Sequence, residues 1–445
     1  MLKTFAKGGV HPPENKFTAG KKIEKAPLPK IVSIPVTQHI GAPAQIVVNK
    51  GDEVKVGQIL AKSGGFVSAN IHSSVSGKIK KIDTVVDSSG YRKPAIIIDV
   101  IDDIWDEAID KSPEIKKEIN LDAKEIIDKI AQSGIVGLGG ATFPTHVKLT
   151  PPSGMKAEYL IINSVECEPY LTADHQLMLE KGEEIVVGIR LLMKALNAKQ
   201  AIIGIENNKP DAIEHLTKLT SPYDNIKVQA LKVKYPQGGE KQLIKALTGR
   251  EVPSGGLPIA TGCVVQNVGT TFAVYEAIQK NKPLFERLVT VTGKSVKKPL
   301  NILTRIGTPT SELIEIAGGM PDDTGKIVSG GPMMGRALST IDVPITKGSS
   351  GVLLFKTEES SRKKIMPCIR CAKCVGVCPM GLEPFLLMTL TDKQMYADVE
   401  NEKALDCIEC GSCSYICPSN RPLLDYIRLG KSRVNKIIRS RNKNK

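Results

Sequence analysis

The strongest constraint on this chain is one cysteine spacing written twice. Cys368-x2-Cys371-x2-Cys374-x3-Cys378-Pro379 recurs as Cys407-x2-Cys410-x2-Cys413-x3-Cys417-Pro418. Two residues between cysteines let a loop wind around one face of a cubane and offer three thiolates. The fourth cysteine follows on a helical turn that points away from that loop. In a doubled pattern the fourth thiolate therefore serves the neighbouring cluster. We expect two [4Fe-4S] centres, one held by Cys368, Cys371, Cys374 and Cys417, the other by Cys378, Cys407, Cys410 and Cys413. Each trailing proline ends its loop and removes a backbone donor near the sulfur. A structural zinc site wants four tetrahedral thiolates from two separated C-x2-C knuckles, which this pattern does not offer. Clusters of this kind move one electron at a time and carry no substrate chemistry, so another part of the chain must load them.

A length of 445 residues asks for several domains, and 41% hydrophobic with 24% charged residues excludes collagenous, disordered and membrane-spanning classes. Apolar stretches such as Ala95 to Ile98 and Ile185 to Leu196 fall well short of the roughly 18 residues needed to cross a bilayer. The opening MLKTFAKGGVHPPENK lacks the apolar core of a signal peptide, so the chain is expected to stay in the cytoplasm. Ten cysteines are too few for a disulfide scaffold, and eight of them lie between Cys368 and Cys417. The net charge is +14, and eight basic residues with no acid stand between Arg428 and Lys445, more than half the excess. Within this tail Leu423, Leu424, Ile427, Val434, Ile437 and Ile438 recur at near-helical spacing, which suits acidic lipid, a partner surface or a solvated end equally. No aromatic residues interleave the tail's charges for base stacking, so no nucleic-acid partner is expected.

The remainder divides by pattern. Residues 1–26 are rich in Gly, Pro and Lys and read as an arm that packs on something else. Residues 27–105 alternate short β-branched runs with turns, an all-β module. Its Val48 to Gln58 turn and the run Val75 to Ile79 resemble the barrel-sandwich hybrid of biotinyl and lipoyl domains. The turn that would carry a modified lysine reads Ala69-Asn70-Ile71-His72-Ser73-Ser74, so a docking or structural role is expected instead of covalent carriage. Residues 106–282 interleave helical patterns, including one from Asp174 to Leu196, with short apolar strands, as in an α/β layer with a mainly parallel sheet. Residues 284–355 are strand-like with one short helix at Ser311 to Ala317. The cysteines occupy 362–425, and 426–445 is the basic tail.

Within the α/β region, Gly134 to Lys148 is too glycine-dense for a helix interior and must be a shaped loop. Glycines let backbone N–H groups approach an anion, and the following lysine can neutralise phosphate charge. The loop matches neither the dinucleotide fingerprint nor the Walker pattern, so alone it is weak evidence. The strand Tyr159 to Ile162 ends in Asn163-Ser164-Val165-Glu166-Cys167-Glu168-Pro169, which places polar groups at the carboxyl edge where α/β sheets bind ligands. The loops Tyr235 to Lys241 and Val265 to Thr270 each precede a helix. Taken singly, their carboxylates read as solvated caps, and Cys167 and Cys263 as small buried residues.

Over essentially its whole length the chain resembles the C subunit of the Rnf (or Rsx) ion-translocating electron transport complex. The motifs that carry the resemblance are GGVHPPENK at 8–16, PVTQHIGAPA at 35–44, GLGGATFPTHVKL at 137–149, NSVECEPYLTADHQLM at 163–178, YPQGGEKQLIKALTGREVPSGGLP at 235–258, GGPMMG at 330–335 and the doubled cysteine pattern. The α/β region is similar to the NADH- and FMN-binding subunit of respiratory complex I, and 284–355 to the soluble ligand-binding β-grasp (SLBB) module that follows it. The resemblance implies a multidomain fold: a barrel-sandwich hybrid, an FMN/NADH-binding α/β domain, a β-grasp-like module and a bacterial 2[4Fe-4S] ferredoxin-like domain. It further implies that Gly137, Gly139, Gly140, Lys148, Asn163, Glu166, Gln266, Asn267 and Thr270 surround FMN, and that Phe143, Glu168 and Glu240 meet NAD(H). Leu138, Val165, Cys167 and Gly239 depart from the complex I pattern, where an arginine, an acid, a serine and a glutamate stand.

A hydride carries two electrons and a cluster accepts one, so FMN is expected between them, with no acid–base side chain required. The implied assembly joins integral membrane and iron–sulfur subunits at the cytoplasmic face of the cell membrane. It couples electron exchange between ferredoxin and NAD(H) to cation movement. Two alternatives share these parts. One is a soluble cobalamin-reductase type of flavin and iron–sulfur enzyme, which would not copurify with membrane subunits. The other is a non-catalytic electron-relay subunit, which would not reduce a one-electron dye with NADH.

Overall fold

The computed structural model describes residues 2–443. Its described residues form four β-sheets. Two of them, one built on Ile31–Pro35, Arg92–Asp102, Ser76–Val86 and Glu53–Val54, the other on Gln45–Ile46, Ile59–Lys62 and Ile71–His72, sandwich a core that includes Val32, Leu60, Ile71, Ile79 and Ile96. The turn that a carrier domain would project into solvent is buried here, with Ile71, Ser73 and Ser74 fully enclosed. Arg305 Nη1 donates to the Ser74 carbonyl at 2.9 Å, and Lys347 Nζ donates to the carbonyls of Asn70 and Gly134, each at 2.7 Å. A tip clamped by two side chains of the β-grasp module is held in place rather than projected into solvent. Burial holds the Lys347 ammonium down to about 7 and, with Lys347 nearby, the His72 imidazole down to about 3.

The α/β sheet is wholly parallel, in the order Ile226–Leu231, Gln200–Glu206, Tyr159–Asn163, Cys263–Asn267. Helices cover it, so its strands read as continuous apolar runs such as Leu160-Ile161-Ile162, each fully buried. From Tyr159–Asn163 the chain first builds outward on one side, then returns to add Cys263–Asn267 on the other. That reversal opens a crevice at the carboxyl ends of these two strands, where Asn163 and Asn267 are register partners. The helix Ala123–Gln132, which leads into the glycine-rich loop, starts with a reciprocal cap between Asp122 and Glu125. The helical pattern from 174 to 196 folds as two helices, Ala173–Glu180 and Gly182–Leu196, broken at Lys181. The break lets Gly182 pass against His215, whose Nε2 would lie 2.6 Å from any added Cβ.

The β-grasp sheet runs Ile23–Lys25, Leu300–Arg305, Glu286–Thr292, Gly351–Lys356, Thr324–Ser329, Arg336–Ala337, so the amino-terminal arm supplies its edge strand. Upstream, the same arm threads the junction between modules. Gly9 N donates to the Val377 carbonyl at 2.8 Å, and Val10 exchanges backbone hydrogen bonds with Tyr235 at 2.8 and 2.9 Å. The cysteine module adds helices Pro384–Asp392, Tyr396–Asn401 and Leu423–Lys443. The basic tail therefore continues this module as its last helix, with Leu423, Ile427 and Val434 in the module core and Leu424 buried beside it, while residues 444 and 445 lie outside the described chain. Among the described residues no helix is long and apolar enough to cross a membrane.

Candidate functional site

The crevice at the strand reversal collects most of the residues implied for FMN. Asn267 caps the helix Val268–Gln279, its Oδ1 accepting from Gly269 N at 2.9 Å and Thr270 N at 3.3 Å, while its Nδ2 donates to Asp174 at 2.7 Å. Thr270 Oγ1 accepts from Leu138 N at 2.9 Å, tying the glycine-rich loop to this helix start. Gly139 lies so close to Asn267 that a Cβ would meet its Nδ2 at 2.8 Å, whereas Gly140 has nothing within 4 Å on that side. The loop thus presses backbone against one wall and leaves its outer face open. Asn163 Nδ2 donates to the Gly238 carbonyl at 2.8 Å, closing the crevice with the loop before helix Glu240–Thr248.

Two buried polar atoms in these strand ends, Gln266 Nε2 and Ser164 Oγ, have no partner. Native interiors satisfy the great majority of such atoms, so the crevice holds unspent hydrogen-bonding capacity. Unpaired polar groups at the strand ends, together with the open side of Gly140 on the loop, fit a planar, hydrogen-bonding ring with a phosphate arm.

Charge is concentrated under the loop. Glu166 accepts from the backbone N–H groups of Asp174 at 2.7 Å and His175 at 3.1 Å, fixing the start of helix Ala173–Glu180. It adopts a positive φ of 48° to do so. Buried Arg287 reaches from the β-grasp sheet to donate to the Leu138 carbonyl at 2.6 Å, facing the charges of Glu166 and Asp174. Burial, with Glu166 beside it, raises the Asp174 carboxyl to about 6. Lys16 of the arm donates to three carbonyls of the same loop, those of Glu166 and Glu168 at 2.9 Å and Leu171 at 2.6 Å.

The residues implied for NAD(H) are distributed differently. Lys148 Nζ, implied for FMN, contacts Glu240 Oε1 at 2.6 Å and the Val265 carbonyl at 3.1 Å, so it bridges the two implied sets. Phe143 is half-buried on the glycine-rich loop, its carbonyl accepting from Gly137 N at 2.9 Å. Glu168 spends both oxygens on the 330–335 loop, accepting from Met333 N at 3.0 Å and Met334 N at 2.8 Å. Burial lifts its carboxyl to about 7.

Both cysteine loops adopt one backbone path. Arg370 and Glu409, and likewise Ala372 and Gly411, occupy matched positions with positive φ, at 56° and 58°, and at 55° and 78°. Short helices Lys373–Gly376 and Ser412–Ile416 follow. Cys378, from the first repeat, lines one apolar pocket with Cys407, Cys410 and Cys413 of the second, among Pro379, Leu382, Leu387 and Ile427. Burial, then the neighbouring Cys407, Cys410 and Cys378, push the Cys413 thiol up to about 12. Across the repeat, Cys374 is raised mainly by burial and also feels Cys417. Among the described residues no three His, Cys, Asp or Glu side chains stand close enough to share one metal ion. A four-iron cubane is wider than an ion and spreads its thiolates farther.

The crevice and the second cysteine loop touch. Tyr235 Oη donates to the Cys410 carbonyl at 2.8 Å, both residues buried in a cluster with Val10 and Cys167. Gly411 passes Met333, whose carbonyl would lie 2.7 Å from an added Cβ. Gly255 N donates to Asp406 at 3.1 Å, and Gln242 Nε2 contacts Met380 Sδ at 3.2 Å. The sequence by itself assigns no role to Tyr235, Lys16, Asp174 or Arg287. The one available signal is the place of the first three inside the motifs at 8–16, 163–178 and 235–258.

Four families match in chain order: the RnfC barrel sandwich hybrid domain over 4–103, the Nuo51 FMN-binding domain over 130–276, the SLBB domain over 288–337 and the 4Fe-4S dicluster domain over 362–418. In solved structures, an NAD+-reducing [NiFe]-hydrogenase in the air-oxidized state shares the fold at TM-score 0.51 and 17% identity, over 71% of this chain and 66% of that one. The chain is 49% identical to the C subunit of the proton-translocating ferredoxin:NAD(+) oxidoreductase complex of Clostridium ljungdahlii, over 90% of this chain and 87% of that protein. It is 44% identical to the Na(+)-translocating counterpart of Acetobacterium woodii, over 96% of each. With four domain families in their expected order and relatives of this likeness along nearly its whole length, the chain belongs to the RnfC family, the C subunits of ion-translocating ferredoxin:NAD(+) oxidoreductase (Rnf) complexes.

Proposed function

We propose that this chain is the NADH- and FMN-handling iron–sulfur subunit of a membrane-bound, ion-translocating ferredoxin:NAD+ oxidoreductase, seated at the cytoplasmic face beside integral membrane and iron–sulfur partners. When bound, FMN supplies the exchange between two-electron and one-electron carriers, and two [4Fe-4S] clusters supply the single-electron steps. Gly137, Gly139, Gly140 and Lys148 would surround the phosphate and ribityl chain, with Asn163, Glu166, Gln266, Asn267 and Thr270 completing the flavin site. A phosphate would draw Lys148 from Glu240, because a dianion competes for the same ammonium. That exchange would free Glu240 for the nucleotide beside Phe143. Glu168 would meet the same nucleotide, while its oxygens hold the 330–335 loop through the N–H groups of Met333 and Met334. Cys378, Cys407, Cys410 and Cys413 would hold the inner cluster, Cys368, Cys371, Cys374 and Cys417 the outer one.

The observation that carries this reading is the buried hydrogen bond from Tyr235 to the Cys410 carbonyl at 2.8 Å, which sets the crevice's own loop against a cluster loop. The test is anaerobic purification with FMN, iron and sulfide quantified per chain, then NADH-driven reduction of a one-electron dye. Roughly one FMN, about eight irons and dye reduction are expected. Iron without dye reduction after FMN reconstitution would leave a relay subunit, and a chain with neither FMN nor iron would end the proposal.

A further inference from the structure

The doubled cysteine pattern does not lead to two equivalent surfaces. The second loop is sealed: Cys410, Gly411, Ser412 and Cys413 are buried against the crevice, the 330–335 loop and the last helix. The first is open, with every residue from 361 to 373 exposed, Cys368 and Cys371 included. Along this stretch stand Arg362, Lys363, Lys364, Arg370 and Lys373, with no acid among them. Among the described residues, Arg362 alone of these five has an ion-pair partner, Asp425 at 2.9 Å. Three apolar side chains sit between the cations, Ile365 at 53%, Met366 at 47% and Ile369 at 67% exposure.

We infer that residues 361–373 form the docking port for an acidic iron–sulfur electron-transfer protein, so that electrons cross between chains at the cluster of Cys368, Cys371, Cys374 and Cys417. The inference rests on the two-cluster reading above and adds which end faces outward and what charge meets it. Electron transfer weakens steeply with distance, so a partner must approach a centre whose ligand loop reaches the surface. The first loop, with Cys368 and Cys371 exposed, reaches it further than the second, whose Cys407 is half-buried and whose Cys410 and Cys413 are buried. Its rim of cations, four of them unpaired among the described residues, steers a negatively charged partner, while Ile365, Met366 and Ile369 supply the small dry centre of a transient interface. Redox encounters of this kind are small, under about 1,200 Å². A lipid surface fits less well, because these apolar residues lie on an irregular loop rather than along one face of a helix.

The experiment uses the full-length protein, purified anaerobically with its clusters, and an acidic 2[4Fe-4S] ferredoxin as probe. Binding is read by surface-immobilised association, and contact by carbodiimide coupling of lysines to carboxylates. The double variant Lys363→Glu/Lys364→Glu is compared with Arg433→Glu/Lys436→Glu, an equal charge change on the exposed face of the last helix. We expect the first pair to slow association about tenfold and reduce coupling at 361–373 in step, the effect fading as salt rises from about 50 to 300 mM, while the second pair changes association less than twofold. Equal losses from both pairs, or no loss from the first, would overturn the port. So would loss of binding to phosphatidylglycerol vesicles in place of ferredoxin. Iron content separates the premises: if Cys371→Ser leaves iron per chain unchanged, the two-cluster reading fails, whereas full iron with unchanged docking in the lysine variant sinks the port alone.

Discussion

The two cysteine loops share spacing, left-handed residues and a trailing helical turn, yet one is largely buried, with 410–413 enclosed, and the other faces out. What separates them lies between the ligands. Gly411 stands where the first loop has Ala372, and with no Cβ it slides under the Met333 carbonyl. Glu409 stands where the first loop has Arg370. Its carboxylate meets Arg428 at 3.0 Å and Lys431 at 2.8 Å, while Lys431 also donates to the Cys407 carbonyl, at 2.6 Å. The last helix thereby pins the second loop, whereas the first is held at its margins by Met366 N to the Ser419 carbonyl at 3.0 Å and Asn420 Nδ2 to the Lys364 carbonyl at 3.1 Å. Ligand spacing sets the local path, and the intervening residues decide whether the loop becomes core or surface.

The contrast breaks hardest when one loop loses a ligand. Cys410→Ser and Cys371→Ser should each remove about half the iron. With Cys410→Ser, NADH should no longer reduce the outer cluster, because the path from the crevice is cut. With Cys371→Ser the inner cluster should still be reduced, as followed by low-temperature electron paramagnetic resonance. Next in size is a swap at the matched left-handed positions. Gly411→Ala drives a Cβ into a backbone carbonyl at a φ of 78° and should destabilise the module by about 1–3 kcal/mol. Ala372→Gly relieves a strained alanine but loosens the unfolded chain, so its effect should stay within about 0.5 kcal/mol. Urea midpoints of the two variants test the asymmetry directly.

Local signals are legible in the sequence: the eight thiols, the glycine-rich loop, the parallel sheet with its polar strand ends and the order of modules. The rest depends on contacts between residues far apart in the chain, which leave no periodicity to read. Tyr235 and Cys410 are 175 positions apart, and Lys16 reaches a carbonyl 150 positions away. Glu168 reads as a ligand-edge carboxylate because it follows a strand end, but its partners are backbone N–H groups of another module. The tail's spacing does show a helix, but its charge leaves lipid, a partner or a solvated end equally open, and only the fold shows the apolar stripe closing the cysteine module. In the barrel, a missing carrier lysine is visible; the clamp of Lys347 on the same turn is not.

Two further effects sharpen the comparison. Tyr235→Phe leaves a buried Cys410 carbonyl without its donor and should cost roughly 1–3 kcal/mol, seen as faster hydrogen exchange at 407–413 with no change at 368–374. The smallest is a matter of pH. Burial would raise the Glu409 carboxyl, but Lys431 and Arg428 outweigh it and hold the group below its ordinary value. A depressed carboxyl contributes stability above its unfolded value of about 4.3 and loses it as pH falls through the lower folded value. Glu409→Gln removes the pairing, so at pH 7 it should loosen the inner loop by under about 1 kcal/mol. As the pH drops below about 4 the wild type surrenders the same pairing, and exchange at 407–413 in the two proteins should converge, while 368–374 shows no difference at any pH. A gap between wild type and variant that persists undiminished into acid would mean that the second loop is held by its burial alone, with the last helix's cations as bystanders.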